Sequence, residues 1–70
     1  MLNRVAERRK EMGMTQIDLG KISETGQSTV SEIESGSRIP GVDVAIRICR
    51  ALNSRVEDLF YFEGEREKDA

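Results

Sequence analysis

An all-α fold, a compact bundle of five helices, is what this 70-residue sequence predicts. Three observations predict it. Apolar residues recur at three- and four-residue spacing, most clearly at Val42, Ala45, Ile46, Cys49 and Leu52. Turn-forming residues, among them Gly13, Gly26, Gly36 and Asn53, punctuate the apolar segments. No stretch alternates apolar and polar residues for long enough to make a useful strand.

The elements follow in order. A first helix over residues 2–12 carries Leu2, Val5, Arg9 and Met12 on one face, with Arg4, Arg8 and Lys10 on a solvated side. Gly13 suits the left-handed position that closes a helix. Met12 and Met14 fill the core edge. Thr15 is a good N-cap for a second helix, with Asp18 three residues on as a short capping box. Ile17, Leu19 and Ile22 supply that helix's apolar contacts. Gly20 in mid-helix costs about 1 kcal/mol relative to Ala, a cost explained if another helix approaches closely there.

Residues 23–26 form a turn. A third helix over 27–35 turns Val30 and Ile33 inward and stops at Gly36. The loop 37–41 holds Arg38 and the single proline, Pro40. A fourth helix spans 42–52, its inward stripe formed by the five residues named first, with Val44 and Ile48 on a second face. Asn53 suits a left-handed terminator. Ser54 and Glu57 have capping-box spacing for a short fifth helix with Val56, Leu59 and Phe60 as its apolar face. Residues 1–62 make the domain; residues 63–70 are a charged tail with the composition of disordered chain.

Seventy residues allow one domain with a small core. The single cysteine, Cys49, excludes a disulfide framework, and without histidine the usual structural zinc arrangements are excluded too. Cys49 reads as a small core residue. No cofactor and no metal are expected, and no catalytic residue is identified, because no recognisable activating partner accompanies the serines and carboxylates. No apolar run approaches membrane-spanning length and no signal-peptide region is recognisable, so a reduced, cytoplasmic protein is expected. The net charge of −2 is unevenly spread. Residues 1–56 hold nine Lys/Arg against seven Asp/Glu, whereas residues 57–70 hold two against six. A weakly basic body is compatible with DNA through a few well-placed contacts, with a shallow salt dependence.

Residues 15–36, TQIDLGKISETGQSTVSEIESG, have the layout of a helix-turn-helix. A major groove admits one α-helix. With Val30 and Ile33 inward, the third helix would present Gln27, Ser28, Ser31, Glu32 and Ser35. Gln pairs bidentately with adenine, Ser with several base edges, and Glu accepts from cytosine N4. Gln27 and Ser28 lie at the helix N-terminus, the end that commonly meets base edges. Thr15 and Gln16, in the first turn of the second helix, are candidate phosphate contacts. Gln16 can offer its amide to a phosphate while its other end orients Gln27. Arg38 can reach a phosphate on the other flank, aided by Ser35 and Ser37.

With these residues in place, the sequence resembles the Cro and phage-repressor-type (XRE-like) helix-turn-helix regulators over residues 2–60. The resemblance rests on GMTQ at 13–16, GQSTVSEIESG at 26–36, IP at 39–40 and ALNSRVEDLF at 51–60. It implies a lambda-repressor-like five-helix bundle that binds operator DNA as a dimer. It implies base contacts from Gln27, Ser28 and Glu32, phosphate contacts from Gln16, Ser35, Ser37 and Arg38, and a buried structural pair of Arg9 with Glu34. Three positions depart from the pattern. Glu24 stands where the family has Gly, so either Glu24 is strained or Gly26 takes the positive φ. Gly20 stands where Ala is usual. Glu32 would repel phosphates unless it meets a donor base or pairs with a basic neighbour.

Tyr61 and Phe62 follow Phe60 too closely for one short helix to bury all three rings. With Val44 and Ile48 they are expected to form a symmetric dimer interface. Two third helices would then stand one DNA turn apart, about 34 Å, on an inverted repeat. The expected function is a sequence-specific DNA-binding transcriptional regulator, most simply a repressor. Its partners would be double-stranded DNA, a second copy and possible protein partners, with no membrane. Alternatives are an antitoxin or a restriction–modification controller of the same fold, or a protein-interaction module that has lost DNA binding.

Overall fold

The computed structural model describes residues 1–64; residues 65–70 of the expected tail lie outside them. The elements are β1 (Leu2–Asn3), α1 (Val5–Glu11), α2 (Gln16–Ile22), α3 (Gln27–Ser35), α4 (Val42–Ala51), α5 (Val56–Leu59) and β2 (Phe60–Tyr61). Five helices are present among the described residues, as expected. Two short strands were not expected, and they pair antiparallel, Leu2 opposite Tyr61 and Asn3 opposite Phe60.

The strand displaces the start of the first helix from residue 2 to Val5. Asn3 is the cause. Its side-chain oxygen accepts from the Val5 N–H (3.1 Å), while its amide donates to the Ile33 carbonyl in α3 (2.9 Å). The Arg4 N–H donates to Leu59 O (2.8 Å). Leu2 therefore leaves the helix face and is exposed, as is Met12. Arg8 is not simply solvated: its Nε donates to Leu52 O (3.1 Å) and Ser54 Oγ (3.2 Å), tying α1 to the end of α4.

The core gathers Val5 of α1, Leu19 of α2, Val30 and Ile33 of α3, Ala45, Ile48 and Cys49 of α4, Leu52, Leu59 and Phe60. Burying each large aliphatic residue contributes roughly 1.5–3 kcal/mol. Ile17 and Ile22 were expected inside but are exposed, because seven-residue α2 spends its inner face on Leu19 and Gly20. In α4 the inner face is rotated from the expected one. Ala45, Ile48, Cys49 and Leu52 are buried, whereas Val42 and Ile46 are exposed. Ile48 has no accessible surface, so it cannot line a dimer face, and Val44 is half-buried against the core. Burial raises the Cys49 thiol above its ordinary value.

Local signals terminate the helices. Gly36 (φ 85°) and Asn53 (φ 50°) are left-handed as expected. At α5 the expected Ser54–Glu57 cap is shifted by one residue. The Asp58 carboxylate accepts from Arg55 N (3.1 Å), and the Ser54 hydroxyl donates to Leu52 O (2.9 Å) instead.

Two features hold α3 in place. Gly20 is the first. A Cβ there would lie 2.6 Å from the Gly26 carbonyl carbon and 2.8 Å from the Gln27 nitrogen, so α2 meets the start of α3 backbone to backbone. The second is the Arg9–Glu34 pair. Arg9 Nε and Nη2 donate to the two Glu34 oxygens (2.7 and 3.1 Å), and Nη1 donates to Met14 O (2.9 Å). The two side chains are only 11% and 7% exposed. Burial works against the Glu34 carboxylate. Hydrogen bonds from Arg9 and Gln16 and the Arg9 charge overcome it, holding the carboxyl below its usual range.

Gly20→Ala should lower stability by about 1–3 kcal/mol in urea unfolding, although the same change favours an unencumbered helix by about 1 kcal/mol. An unchanged midpoint would show that the helices separate freely. Glu34→Ala should cost about 3–5 kcal/mol at neutral pH, because Arg9 is left buried and unpaired. The Glu34 pKa is depressed in the fold. Its stabilisation is therefore complete above the unfolded carboxyl value of about 4.3 and lost as pH falls through the lower folded value. Unfolding midpoints of the wild type and Glu34→Gln should accordingly converge in acid; a gap that persists to pH about 2 would contradict this linkage.

Candidate nucleic-acid interface

The two helices and the turn between them form one unit. Thr15 caps α2 reciprocally: the Asp18 N–H donates to Thr15 Oγ1 (3.0 Å) and the Thr15 N–H to Asp18 Oδ2 (3.0 Å). The hydrogen bond from the Thr15 backbone holds the Asp18 carboxyl below its usual range. In the turn, Ser23 Oγ donates to Leu19 O (2.6 Å), and the Thr25 and Gly26 N–H groups both reach Gly20 O (3.0 and 3.2 Å). The two alternatives for the turn occur together. Glu24 (φ 59°) and Gly26 (φ 88°) are both left-handed, and Glu24 bears the steric cost that a glycine would avoid.

The outer face of α3 stands clear of the fold. Gln27, Ser28 and Glu32 are exposed and Ser31 is half-exposed, while Val30 and Ile33 behind them have no accessible surface. Gln27 Nε2 lies 3.4 Å from Gln16 Oε1, a long contact, and Gln16 Nε2 donates to Glu34 Oε1 (3.0 Å). A line of polar groups thus runs from the buried pair, through α2, to the first turn of α3. It orients both amides: the Gln16 oxygen faces Gln27, and the Gln16 nitrogen points towards Glu34. Glu34 as the anchor of that line was not expected. Its signal was its place beside Arg9, already implied by resemblance.

At the far end of α3 the Glu32 carbonyl is the centre of the cap. It accepts from the Ser37 and Arg38 N–H groups (3.0 and 3.2 Å) and from the Ser35 and Ser37 hydroxyls (3.0 and 3.2 Å). Ser35 and Ser37 therefore serve the helix end, and each hydroxyl must turn to donate elsewhere. The Glu32 carboxylate pairs with Arg38, Oε1 to Nε 3.0 Å, with both side chains about half exposed. The basic neighbour open to Glu32 is thus Arg38. Among the described residues no group of three or more His, Cys, Asp or Glu could hold a metal. No helix among the described residues is long and apolar enough to cross a membrane.

Away from α3, an apolar groove of roughly 630 Å³ is lined by Ile39, Pro40, Val42, Ile46, Val56 and Phe62, among others. Phe62 was expected at an apolar surface and is 62% exposed. Tyr61 is half-buried in β2. Val42 and Ile46 were expected in the inward stripe instead, because α4 is apolar on more than one side, and Ile39 of the preceding loop was given no role.

A helix-turn-helix family profile matches residues 5–59. Over 65 residues the chain is 37% identical to the HTH-type transcriptional regulator YgzD of Bacillus subtilis, covering 93% of this chain and 98% of that protein. An HTH-type transcriptional regulator of Archaeoglobus fulgidus is 38% identical over 65 residues, 93% of each chain. Among solved structures, the restriction-modification controller protein C.AhdI from Aeromonas hydrophila superposes with a TM-score of 0.77 at 28% identity, covering 81% of this chain and 86% of that one. The clp gene regulator ClgR from C. glutamicum gives 0.70 at 26% identity, covering 77% and 70%. The chain belongs to the helix-turn-helix family of transcriptional regulators, in the Cro and phage-repressor class.

Proposed function

We propose that this regulator binds operator DNA sequence-specifically, with α3 in the major groove, and represses transcription by occupying the site. The carrying observation is the exposed row Gln27, Ser28 and Glu32 over the fully buried Val30 and Ile33. A helix with a rigid apolar back and short polar side chains in front fits a groove that an α-helix just fills. Gln27 and Ser28 at the helix start and Glu32 one turn on are the base contacts of this reading. Gln16, whose amide keeps a second N–H beyond the one given to Glu34, and Arg38 are its main phosphate contacts. Thr15, Ser35 and Ser37 contribute hydroxyls. No catalytic residue and no cofactor are assigned, and the setting is cytoplasmic.

Several arginines are already paired: Arg4 with Glu7, Arg8 with Glu11, Arg55 with Asp58. A single copy therefore has a small phosphate-binding complement, which favours two copies on an inverted repeat. The apolar groove is the surface assigned to the second copy, with Val42, Ile46 and Phe62 in place of Ile48. The likeness to a restriction-modification controller supports, as a second reading, control of such a gene pair; neighbouring nuclease and methyltransferase genes would distinguish it.

Selection from a random duplex pool should yield an inverted repeat, and Gln27→Ala should relax one base position per half-site at a cost of about 1–3 kcal/mol. Recovery of no enriched sequence would remove the operator reading. Val42→Glu should convert a dimer to a monomer in light scattering while leaving the thermal midpoint of the fold nearly unchanged, since Val42 is 77% exposed. A wild type that stays monomeric at high concentration, with and without the selected duplex, would rule out the two-copy arrangement.

A further inference from the structure

Glu32 poses a physical problem on a surface read as DNA-facing, because a carboxylate near phosphates is repelled. The structure offers a solution within six residues of chain. Arg38 Nε sits 3.0 Å from Glu32 Oε1. The Arg38 and Ser37 N–H groups also bind the Glu32 carbonyl, so the arginine is tethered to the same residue through its main chain. Nε makes the shortest contact with the carboxylate, and each terminal nitrogen carries two N–H groups of its own. The two terminal nitrogens remain able to donate.

We propose that Arg38 is a positioning residue for base recognition: it holds the Glu32 carboxylate in its reading attitude and cancels its charge, while its outer edge meets a backbone phosphate. The pair is half exposed, and such a bridge contributes little to stability. Its effect lies in the surface it makes. Glu32 can then accept from a base amino group, as cytosine N4 offers, without adding a bare negative charge to the interface. Loss of Arg38 removes a phosphate contact and also uncovers Glu32, so its cost depends on Glu32 being ionised. The inference rests on the DNA-binding reading above and adds a role that a plain phosphate contact lacks.

The test is a double-mutant cycle on the whole chain, with Arg38→Ala, Glu32→Gln and the double variant. Binding to a mixed-sequence 20-base-pair duplex is read by fluorescence anisotropy at several salt concentrations. Arg38→Ala should weaken binding about three- to sixfold more in the Glu32 background than in the Glu32→Gln background, the size of one unscreened charge contact in water. It should also lower the salt slope by about 0.9. Arg38→Lys, which keeps the charge, should recover most of the lost affinity. In pool selection, Glu32→Gln should relax the preference at one base position. Equal penalties in the two backgrounds, or a larger one with Glu32→Gln, would overturn the inference, the second by showing that Glu32 sequesters Arg38 from DNA. Circular dichroism melts verify that each variant is folded, and the Arg38→Lys comparison decides the matter if Arg38→Ala is not. If the wild type binds no duplex, the operator reading itself fails; binding with additive variants defeats only the role given to Arg38.

Discussion

A guanidinium and a carboxylate, Arg9 and Glu34, meet where water barely reaches, and the placing of α3 follows from them. Burying either charge alone is costly, so the pair tolerates little displacement. Each group also has a further partner: Arg9 reaches Met14 O, and Glu34 accepts from Gln16 as well as Arg9. The network therefore spans α1, the α1–α2 connection, α2 and α3. Apolar residues of equal volume could match its stability, but they would not dictate the direction of the Gln16 amide. A carboxylate does, because it only accepts. That direction passes to the surface, where the Gln16 oxygen faces Gln27.

The second constraint is distance. Without a side chain at Gly20, the backbone of α2 touches the start of α3, and the turn must close within four residues. Two left-handed residues, Glu24 and Gly26, do the closing. A glycine in place of Glu24 would relax the turn, so the chain accepts local strain where the family pattern avoids it. The result is a stiff angle between α2 and α3, set from inside by Leu19, Val30 and Ile33. On the proposed reading this stiffness matters more than charge, since Glu32 is matched by Arg38. Such a regulator would rely on geometry and base contacts more than on attraction to phosphate.

The C-terminal half couples this surface to the groove assigned to a second copy. The loop after α3 carries Arg38 on one side and Ile39 and Pro40, which line the apolar groove, on the other. A copy seated there would adjoin the loop that ends α3. Asn3 joins the same region from the other terminus, bonding Ile33 O while its neighbour Leu2 pairs with Tyr61. The terminal strands thus brace both the end of α3 and the edge of the groove.

Local chemistry made much of this legible in the sequence. The five helices, the Thr15–Asp18 cap, the left-handed Gly36 and Asn53 and the inward Val30 and Ile33 depend on neighbours a few residues apart, and such signals survive in a linear chain. So did the outer row of α3, because its two buried residues define the opposite face. The inner face of α4 was harder to read, since apolar residues occur on most of its sides. Tertiary structure alone decided the β1–β2 pairing, the link from Glu34 to Gln16 and the Glu32–Arg38 contact. Each joins groups whose proximity is created by folding, through one or two hydrogen bonds that leave no periodic trace in sequence. Spacing determines which way a residue faces on its own helix; only packing determines what it faces.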